Sequence, residues 1–284
     1  MTEITREATS RTLSTENGDL HYHEYGEGPP FVMLHGSGPG VSAWANFADN
    51  LEAFGRHFRC LALDMPGFGV SHATGNVMMD APAAVIAFLD GLGIDRAAVL
   101  GNSMGGGISA RVAAAHPDRV TRLVTIGGVG VPFFSALPSE GITRLVEFVE
   151  NPTRDNLVAW MRSMVYDQAI LTDDFVEMRW QAAMEPAAME GIRQIYSREM
   201  LDILRTMMLD NTAMFGMLRQ IQAPTLITWG RDDRVTPLDG AIAPMRLIRN
   251  CELHVFHDCG HWTMLERRAE FESTVLAFLS RDFD

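Results

Sequence analysis

The sequence contains few cysteines, few basic residues relative to acidic ones, and no long apolar run. Its three cysteines, Cys60, Cys251 and Cys259, form no close pair. An odd number with this spacing argues against a disulfide scaffold and favours a cytoplasmic location. The formal net charge of −13 disfavours binding to nucleic acid or to an anionic membrane, because both need clustered lysine and arginine. No stretch of about 18 apolar residues occurs, so no transmembrane helix is expected.

The first residues, MTEITREATSRTLSTENGD, are polar and carry both signs of charge. They lack the apolar segment of a secretory signal peptide, so none is expected. Internal repeats and low-complexity tracts are also absent. The 284 residues are 47% hydrophobic and 21% charged, which is typical of a globular protein. At this length, the natural expectation is one α/β domain, with or without a sizeable insertion.

Short apolar runs alternate with longer helical segments along most of the sequence. We predict strands at 20–25, 31–35, 59–64, 97–101, 122–127, 225–230 and 252–256. We predict helices at about 42–53, 80–92, 104–115, 238–248 and 265–280. The later strands are continuous apolar runs, as expected for strands that a parallel sheet buries on both faces. The alternation predicts an α/β fold with a mostly parallel, doubly wound sheet.

The alternation stops after Gly130 and resumes at APTLITWG. Between these points the sequence favours several amphipathic helices that begin at serine or threonine caps. We therefore predict a core made of residues 1–131 and 218–284, and a helical lid made of residues 132–217. Such a lid would cover the strand ends, where open α/β folds bind their ligands.

A serine within a glycine cluster follows one of the predicted strands. The segment Gly101-Asn102-Ser103-Met104-Gly105 has the pattern G-x-S-x-G and opens a predicted helix. A strand, a tight turn and a helix around such a serine form a nucleophile elbow, which exposes the serine hydroxyl at the edge of the sheet. The competing interpretation is a serine that only caps the helix. The strand–turn–helix context favours Ser103 as a nucleophile.

A serine nucleophile needs a histidine base and a carboxylate that orients the base. In this arrangement the acid follows the serine in sequence and the histidine comes last. His261, in the loop HDCGHW after the last strand, is the favoured base over His257. Asp232 and Asp233 both lie in the loop WGRDDRVTP, and only one of them can orient the imidazole. Asp258 is a weaker candidate because it is too close to the histidine in sequence.

The oxyanion of an acyl-transfer reaction needs two backbone N–H donors. One is expected from Met104, the residue after the nucleophile. The other is expected from the loop LHGSGPGVSAW, where Gly36, Gly38 and Gly40 let the backbone approach a ligand closely. Ser37 is the favoured donor in this loop, and Gly38 is the alternative. An ordinary Gly/Pro turn is the competing interpretation of the loop.

These motifs together resemble the α/β-hydrolase family over nearly the whole chain, and most closely its meta-cleavage product hydrolases. The matching segments are MLHGSGPGVSAWANF, LDMPGFGVS, GNSMGGG, MVYDQAI, FVEMRW, WGRDDRVTP and HVFHDCGHW. Enzymes of this branch cleave a carbon–carbon bond in 2-hydroxy-6-oxohexa-2,4-dienoates, which arise in bacterial degradation of aromatic compounds. G-x-S-x-G identifies only the superfamily, whereas the combination of segments is much more specific.

The resemblance implies a role for each matching position. It assigns Ser103, Asp233 and His261 to a catalytic triad, with the second aspartate of RDD as the acid. It assigns the backbone amides of Ser37 and Met104 to the oxyanion hole. The residues that would hold the substrate are Gly36, Gly38, Asn46, Asn102, Arg179 and Trp262. No metal or organic cofactor is implied, and the expected partners are a small anionic dienoate and further copies of the chain in a homo-oligomer.

Two of the polar residues also have a purely structural interpretation. Arg179 has the apolar neighbours Phe175 and Trp180, so it is an unusual charge unless it faces a ligand. A substrate with a carboxylate and a 2-oxo group needs such a cation, and an arginine can bind both oxygens. The alternative is an exposed arginine paired with a neighbouring aspartate. Asn102 can donate to a substrate oxygen, or it can be an ordinary hydrogen-bonded turn residue.

Three functions stay open at this point: a carbon–carbon bond hydrolase, an esterase on the same scaffold, and a ligand-sensing receptor. The esterase would tolerate loss of Arg179, and the receptor would bind tightly with negligible turnover. The candidates for the pocket of the acyl group are Phe133, Phe134, Trp160 and Met164. Their orientation decides whether an alkyl or an aryl group fits.

Overall fold

The computed structural model describes residues 4–71, 77–199, 201–202 and 211–283. The strands are β1 (Ser10–Thr15), β2 (Gly18–Tyr25), β3 (Pro30–Leu34), β4 (Arg59–Leu63), β5 (Ala97–Asn102), β6 (Val120–Ile126), β7 (Thr225–Gly230) and β8 (Cys251–Phe256). They form one sheet in the order β1-β2-β4-β3-β5-β6-β7-β8. β1 and β2 are antiparallel to their neighbours, and all other pairs are parallel. The predicted mostly parallel sheet is confirmed.

The helices flank this sheet and also fill the insertion between β6 and β7. They are α1 (Arg6–Thr9), α2 (Ala43–Phe47), α3 (Leu51–Gly55), α4 (Val77–Gly91), α5 (Met104–Ala115), α6 (Glu140–Glu150), α7 (Arg154–Met164), α8 (Asp173–Ala183), α9 (Pro186–Ile195), α10 (Thr212–Leu218), α11 (Ile242–Leu247), α12 (Thr263–Glu266) and α13 (Arg268–Leu279). Short 3-10 turns lie at Ala48–Asn50, Gln168–Ile170 and Leu238–Ala241. No helix among these residues is long and apolar enough to cross a membrane.

The sheet separates two apolar cores, one on each face. Along β3, Phe31 and Met33 face one core, and Val32 and Leu34 face the other. This alternation follows from the two-residue period of a strand. All four side chains are fully buried, so β3 is covered on both faces. Its continuous apolar sequence is therefore required by its central position in the sheet.

The insertion between β6 and β7 contains helices and no strand among its described residues. Serine and threonine caps begin its helices: the side chain of Ser139 accepts from Ile142 N, and that of Thr153 accepts from Asn156 N. α8 buries Val176, Arg179 and Ala183. This spacing places Arg179 on the face that the helix turns toward the protein interior.

Candidate active site

Ser103 lies at a sharp turn between β5 and α5. Its φ of 52° and ψ of −113° form a conformation that costs free energy for a residue with a side chain. Two backbone hydrogen bonds hold it there, from Ser103 N to Ile126 O at 2.8 Å and from Gly107 N to Ser103 O at 3.1 Å. A Cβ at Gly105 would lie 2.2 Å from Leu34 O, so the turn needs glycine there. The strained turn fixes the Ser103 hydroxyl at the carboxyl end of the sheet.

Asp233 and His261 form a buried hydrogen-bonded pair beside this turn. His261 Nδ1 lies 2.7 Å from Asp233 Oδ2, and both side chains are 2% exposed. Asp233 also accepts from Val235 N at 2.7 Å and from Thr236 Oγ1 at 2.8 Å. An ionised carboxylate can only accept hydrogen bonds, so it fixes the histidine hydrogen on Nδ1 and leaves Nε2 free to accept a proton.

The other acid and base candidates from the sequence are more exposed than this pair. Asp232 and Asp258 both pair with Arg231, at 3.2 Å and 2.7 Å. His257 Nδ1 lies 3.1 Å from the carboxylate of Asp258. Within the described parts of the chain, no group of three or more His, Cys, Asp or Glu side chains could hold a metal ion.

A cavity of about 380 Å³ lies between the sheet and the helical insertion, and both Ser103 and His261 line it. The six residues that the sequence assigned to substrate binding all line the same cavity: Gly36, Gly38, Asn46, Asn102, Arg179 and Trp262. Ser37 lines it as well. Met104 is the first residue of α5, where backbone N–H groups have no partner within the helix.

Arg179 is a buried cation at one side of this cavity. The residue is 2% exposed, and its Nη1 donates to Gly40 O at 3.2 Å, while Nε has no hydrogen-bond partner. Its guanidinium lies 5.2 Å from the ring centre of Trp262 and 5.7 Å from that of Phe175. No carboxylate among the described residues forms an ion pair with it. Burial lowers the pKa of Arg179 to about 10, so it stays charged at neutral pH. The exposed-arginine alternative is wrong.

Asn46 and Asn102 both lie beside the glycine loop next to Ser103. Asn102 Nδ2 donates to Ile126 O at 3.3 Å, and a Cβ at Gly36 would lie 2.9 Å from Asn102 Oδ1. Asn46 Oδ1 accepts from Gly36 N at 3.1 Å. Asn102 therefore makes a hydrogen bond within the turn, as expected if its role is structural, and it also lines the cavity.

The four candidates for the acyl pocket divide into two pairs. Trp160 and Met164 line the cavity. Phe133 and Phe134 are 53% and 91% exposed and are absent from the described lining of the cavity. Neither phenylalanine is among the described residues that line this cavity or the apolar cavity beside it, and both lie in the exposed segment before α6, outside any helix.

Tyr196 also lines the cavity, and nothing in the sequence singles it out. It directly follows α9, and its hydroxyl oxygen lies 2.6 Å from Ser37 Oγ. A second, apolar cavity of about 760 Å³ adjoins the first, and the two share Ile142, Tyr196 and Val235. The described residues that line this second cavity include no charged side chain.

The loop that carries His261 is tied to the end of α7. His261 N donates to Met164 O at 2.7 Å. Glu266 accepts from the two backbone N–H groups at 166–167, at 2.6 Å and 3.1 Å, and from Gly260 N at 2.8 Å. The cavity wall formed by the insertion is therefore fixed relative to His261.

Comparisons with known proteins cover almost the whole chain. A family model for the alpha/beta hydrolase fold matches residues 29–268. The 2-hydroxy-6-oxo-6-phenylhexa-2,4-dienoate hydrolase of Comamonas testosteroni is 34% identical, over 98% of this chain and 99% of the relative. A 2-hydroxy-6-oxononadienedioate/2-hydroxy-6-oxononatrienedioate hydrolase of Pseudomonas putida is 37% identical, over 98% of each chain. The solved structure of a meta-cleavage product hydrolase from Pseudomonas fluorescens IP01 superposes with a TM-score of 0.85, at 29% identity, over 95% of this chain and 97% of that one.

Proposed function

The chain belongs to the α/β-hydrolase family and, within it, to the meta-cleavage product hydrolases, and from this premise we propose that it hydrolyses the C5–C6 bond of a 2-hydroxy-6-oxohexa-2,4-dienoate. The products are 2-hydroxypenta-2,4-dienoate and a carboxylic acid. The observation that carries the proposal is Arg179, a buried cation without a carboxylate partner among the described residues, in the cavity of Ser103 and His261. A simple ester would leave that charge uncompensated.

The dienoate end of the substrate binds beside Arg179. The guanidinium pairs with the substrate carboxylate and the oxygen at C2, which is the bidentate geometry that arginine favours. Asn102 and Trp262 line the same part of the cavity, with Asn102 offering an amide to a substrate oxygen. This binding mode neutralises the cation and fixes C6 near Ser103.

The reaction begins with ketonisation, which moves the proton of the 2-hydroxyl to C5. His261 then takes the proton of Ser103, whose oxygen attacks C6, while Asp233 stabilises the imidazolium. The backbone amides of Ser37 and Met104 bind the resulting oxyanion. When the C5–C6 bond breaks, its electron pair delocalises from C5 onto the oxygen at C2 as a dienolate, and the acyl group stays on the serine. The dienolate takes the proton of the His261 imidazolium and leaves as 2-hydroxypenta-2,4-dienoate, so the histidine is again a base. Water, activated by the histidine, releases the acid.

The helical insertion supplies much of the cavity wall, which supports its role as a lid. Arg179, Trp160 and Tyr196 all come from the predicted lid, residues 132–217. The apolar second cavity is the natural place for the group attached at C6, because it adjoins the first one at Ile142, Tyr196 and Val235. Its described lining carries no charged side chain, which suits an aryl group as well as an alkyl group.

A spectrophotometric assay tests the proposed function. The protein is mixed with the 6-methyl, 6-isopropyl and 6-phenyl forms of 2-hydroxy-6-oxohexa-2,4-dienoate, and loss of the yellow dienolate is followed. p-Nitrophenyl acetate serves as the comparison substrate. Rapid bleaching with slow ester turnover is expected. Fast ester turnover with inert dienoates would establish an esterase instead, and tight binding without turnover would favour a receptor.

The nucleophile is tested with Ser103→Ala and the matched control Ser273→Ala, which makes the same change at an exposed position of α13. Ser103→Ala should lower kcat by about 10⁴-fold or more and keep substrate binding, because the hydroxyl forms the acyl-enzyme. Binding is followed through the spectral shift of the bound dienolate. A Ser103→Ala variant with a rate near that of the unmodified protein would remove the serine from the mechanism.

A further inference from the structure

Tyr196 reaches across the cavity to the loop that carries Ser37. The phenol oxygen lies 2.6 Å from Ser37 Oγ, and both residues line the cavity that contains Ser103. Tyr196 belongs to the insertion, where its N–H bonds to Ile192 O at the end of α9. Ser37 belongs to the loop after β3. The hydroxyl pair therefore joins the insertion to the loop at the reacting end of the cavity.

Two hydroxyl groups carry two hydrogens, and a hydrogen bond between them uses only one. The hydrogen bonds found among the described residues give neither hydroxyl a second partner. Burial raises the pKa of Tyr196, and the hydrogen bond with Ser37 offsets only part of that rise, so the phenol keeps its hydrogen at neutral pH. Ser37 is itself buried. A buried donor without an acceptor is costly, so the second hydrogen is available to a ligand in the cavity.

We propose that Tyr196 is a positioning residue: it donates its phenol hydrogen to Ser37 Oγ and so directs the Ser37 hydroxyl hydrogen at the oxyanion on C6. This rests on the proposed function, which assigns the Ser37 amide to that oxyanion. The hydroxyl and the amide belong to one residue, and Ser37 lines the same cavity as Ser103. Tyr196 also borders the second cavity, which places its ring at the junction where C6 would lie.

The direction of the shared hydrogen determines the catalytic effect. When Tyr196 donates, Ser37 Oγ is polarised and its own hydrogen becomes a stronger, fixed donor. A donor that is already oriented stabilises the developing charge without reorganisation during the reaction. Without the phenol, the Ser37 hydroxyl rotates freely and spends less time aimed at the oxyanion.

A double-mutant cycle with Tyr196→Phe and Ser37→Ala tests the proposal, because both changes preserve most of the side-chain volume. kcat and KM are measured for the dienoate that the unmodified protein hydrolyses best. We expect Ser37→Ala to lower kcat about 100-fold and Tyr196→Phe about 10-fold, with KM changed by less than about 3-fold. The double variant should be no slower than Ser37→Ala alone, because the phenol acts only through the serine.

Tyr166→Phe is the matched control, since it removes a phenol hydroxyl from an exposed position just after α7, and its kcat should be unchanged. Three results would overturn the proposal: a Tyr196→Phe variant with full kcat, losses that multiply in the double variant, or a larger loss for Tyr196→Phe than for Ser37→Ala. These three results differ from the result expected if the proposed function itself is wrong. If dienoates are inert, the same cycle on p-nitrophenyl acetate, which also forms an oxyanion, still tests the hydroxyl pair.

Discussion

At the scale of single residues, Arg179 is a charge whose burial opposes folding and which we propose serves substrate binding. Its guanidinium is buried, and its contacts are one backbone carbonyl and two aromatic rings. Those contacts replace the hydration of a full charge only in part. In the folded protein the guanidinium charge is therefore only partly compensated, and the carboxylate of the proposed substrate would compensate the rest.

Replacing Arg179 with methionine separates its effect on substrate binding from its effect on the stability of the fold. The variant should be more stable than the unmodified protein, by about 1 kcal/mol, because a buried charge without a carboxylate partner among the described residues is removed. KM for the dienoate should rise about 100-fold or more, and turnover of p-nitrophenyl acetate should stay unchanged. Thermal unfolding and steady-state kinetics measure both effects, with Arg144→Met at an exposed position of α6 as the control. A destabilised variant with unchanged KM would contradict this account.

The burial of Arg179 was accessible to sequence reasoning, whereas the contact between Tyr196 and Ser37 was not. The apolar neighbours Phe175 and Trp180 favoured an inward position and left an exposed one open, and the buried face that Arg179 shares with Val176 and Ala183 decides for burial. The two hydroxyl groups are 159 residues apart in the chain, and they meet only through the packing of the insertion on the sheet. No local pattern encodes such a contact.

At the scale of structural elements, Glu266 joins the end of α7 to the loop of His261. Its carboxylate accepts from three backbone N–H groups, at Tyr166, Asp167 and Gly260. Burial raises the pKa of Glu266, and these hydrogen bonds offset part of the rise. The Glu266 carboxylate thus accepts hydrogen bonds from three backbone N–H groups that lie outside the helices and strands.

Glu266→Gln should weaken this connection. A glutamine offers one acceptor oxygen and places an NH₂ group against donors, so we expect a loss of about 2 kcal/mol in the free energy of unfolding. kcat should fall several-fold, because the His261 loop loses one of its supports. Denaturant unfolding and dienoate kinetics provide the measurements. Glu270→Gln, on the surface of α13, should change neither, and an equally stable, fully active Glu266→Gln variant would show that the connection is dispensable.

The antiparallel edge of the sheet carries a pH-dependent contribution to stability. His23 on β2 is 1% exposed and its Nδ1 lies 2.9 Å from Thr9 Oγ1. Burial lowers its pKa from 6.5 to about 4, and the neighbouring His21 adds to this shift. The unfolded chain therefore binds a proton at a higher pH than the folded one. This contribution is complete above pH 6.5 and is lost as the pH falls toward 4.

His23→Gln should remove this part of the acid sensitivity. Between pH 6.5 and 4, the unmodified protein should lose stability relative to the variant by up to about 1.4 kcal/mol per pH unit. Chemical unfolding at several pH values gives the difference. His57→Gln, an exposed position, should follow the unmodified protein throughout, and parallel curves for His23→Gln would refute the assignment.

The presence of a strand or helix was predictable where the apolar pattern was strong, whereas the residues at which it begins and ends were not. β1 is absent from the strands predicted from the sequence because SRTLST is largely polar, as suits a half-exposed edge strand. The single helix expected at 265–280 is divided at Arg267, whose φ of −121° and ψ of 40° are not helical. Such breaks are decided by packing against the sheet rather than by local preference.

At the scale of the whole molecule, the net charge opposes the approach of an anionic substrate. The chain carries −13, and the only cation assigned to the dienoate is buried in the cavity. Higher ionic strength screens the long-range repulsion more than the buried contact. Raising the salt concentration from about 10 mM to 200 mM should therefore increase kcat/KM for the dienoate about 2-fold or more. Neutral p-nitrophenyl acetate, measured in parallel, should show no such increase.

The fold class and the hydrolase family predicted from the sequence are both confirmed. Both could be predicted because motifs such as GNSMGGG and HDCGHW place particular side chains in loops directly after particular strands of the sheet. The lid boundaries at 132–217, the homo-oligomer and the cytoplasmic location stay predictions. The segment 203–210 of the predicted lid lies outside the described residues.

The insertion between β6 and β7 also determines when during synthesis the protein becomes active. β6 ends at Ile126, and its neighbour β7 begins only at Thr225. A nascent chain therefore presents an apolar parallel strand edge while the ribosome adds the whole insertion. Ser103 is made before this interval, and Asp233 and His261 are made after it. The proposed nucleophile therefore has no base until the last strands join the sheet, and a prematurely terminated chain would be inactive.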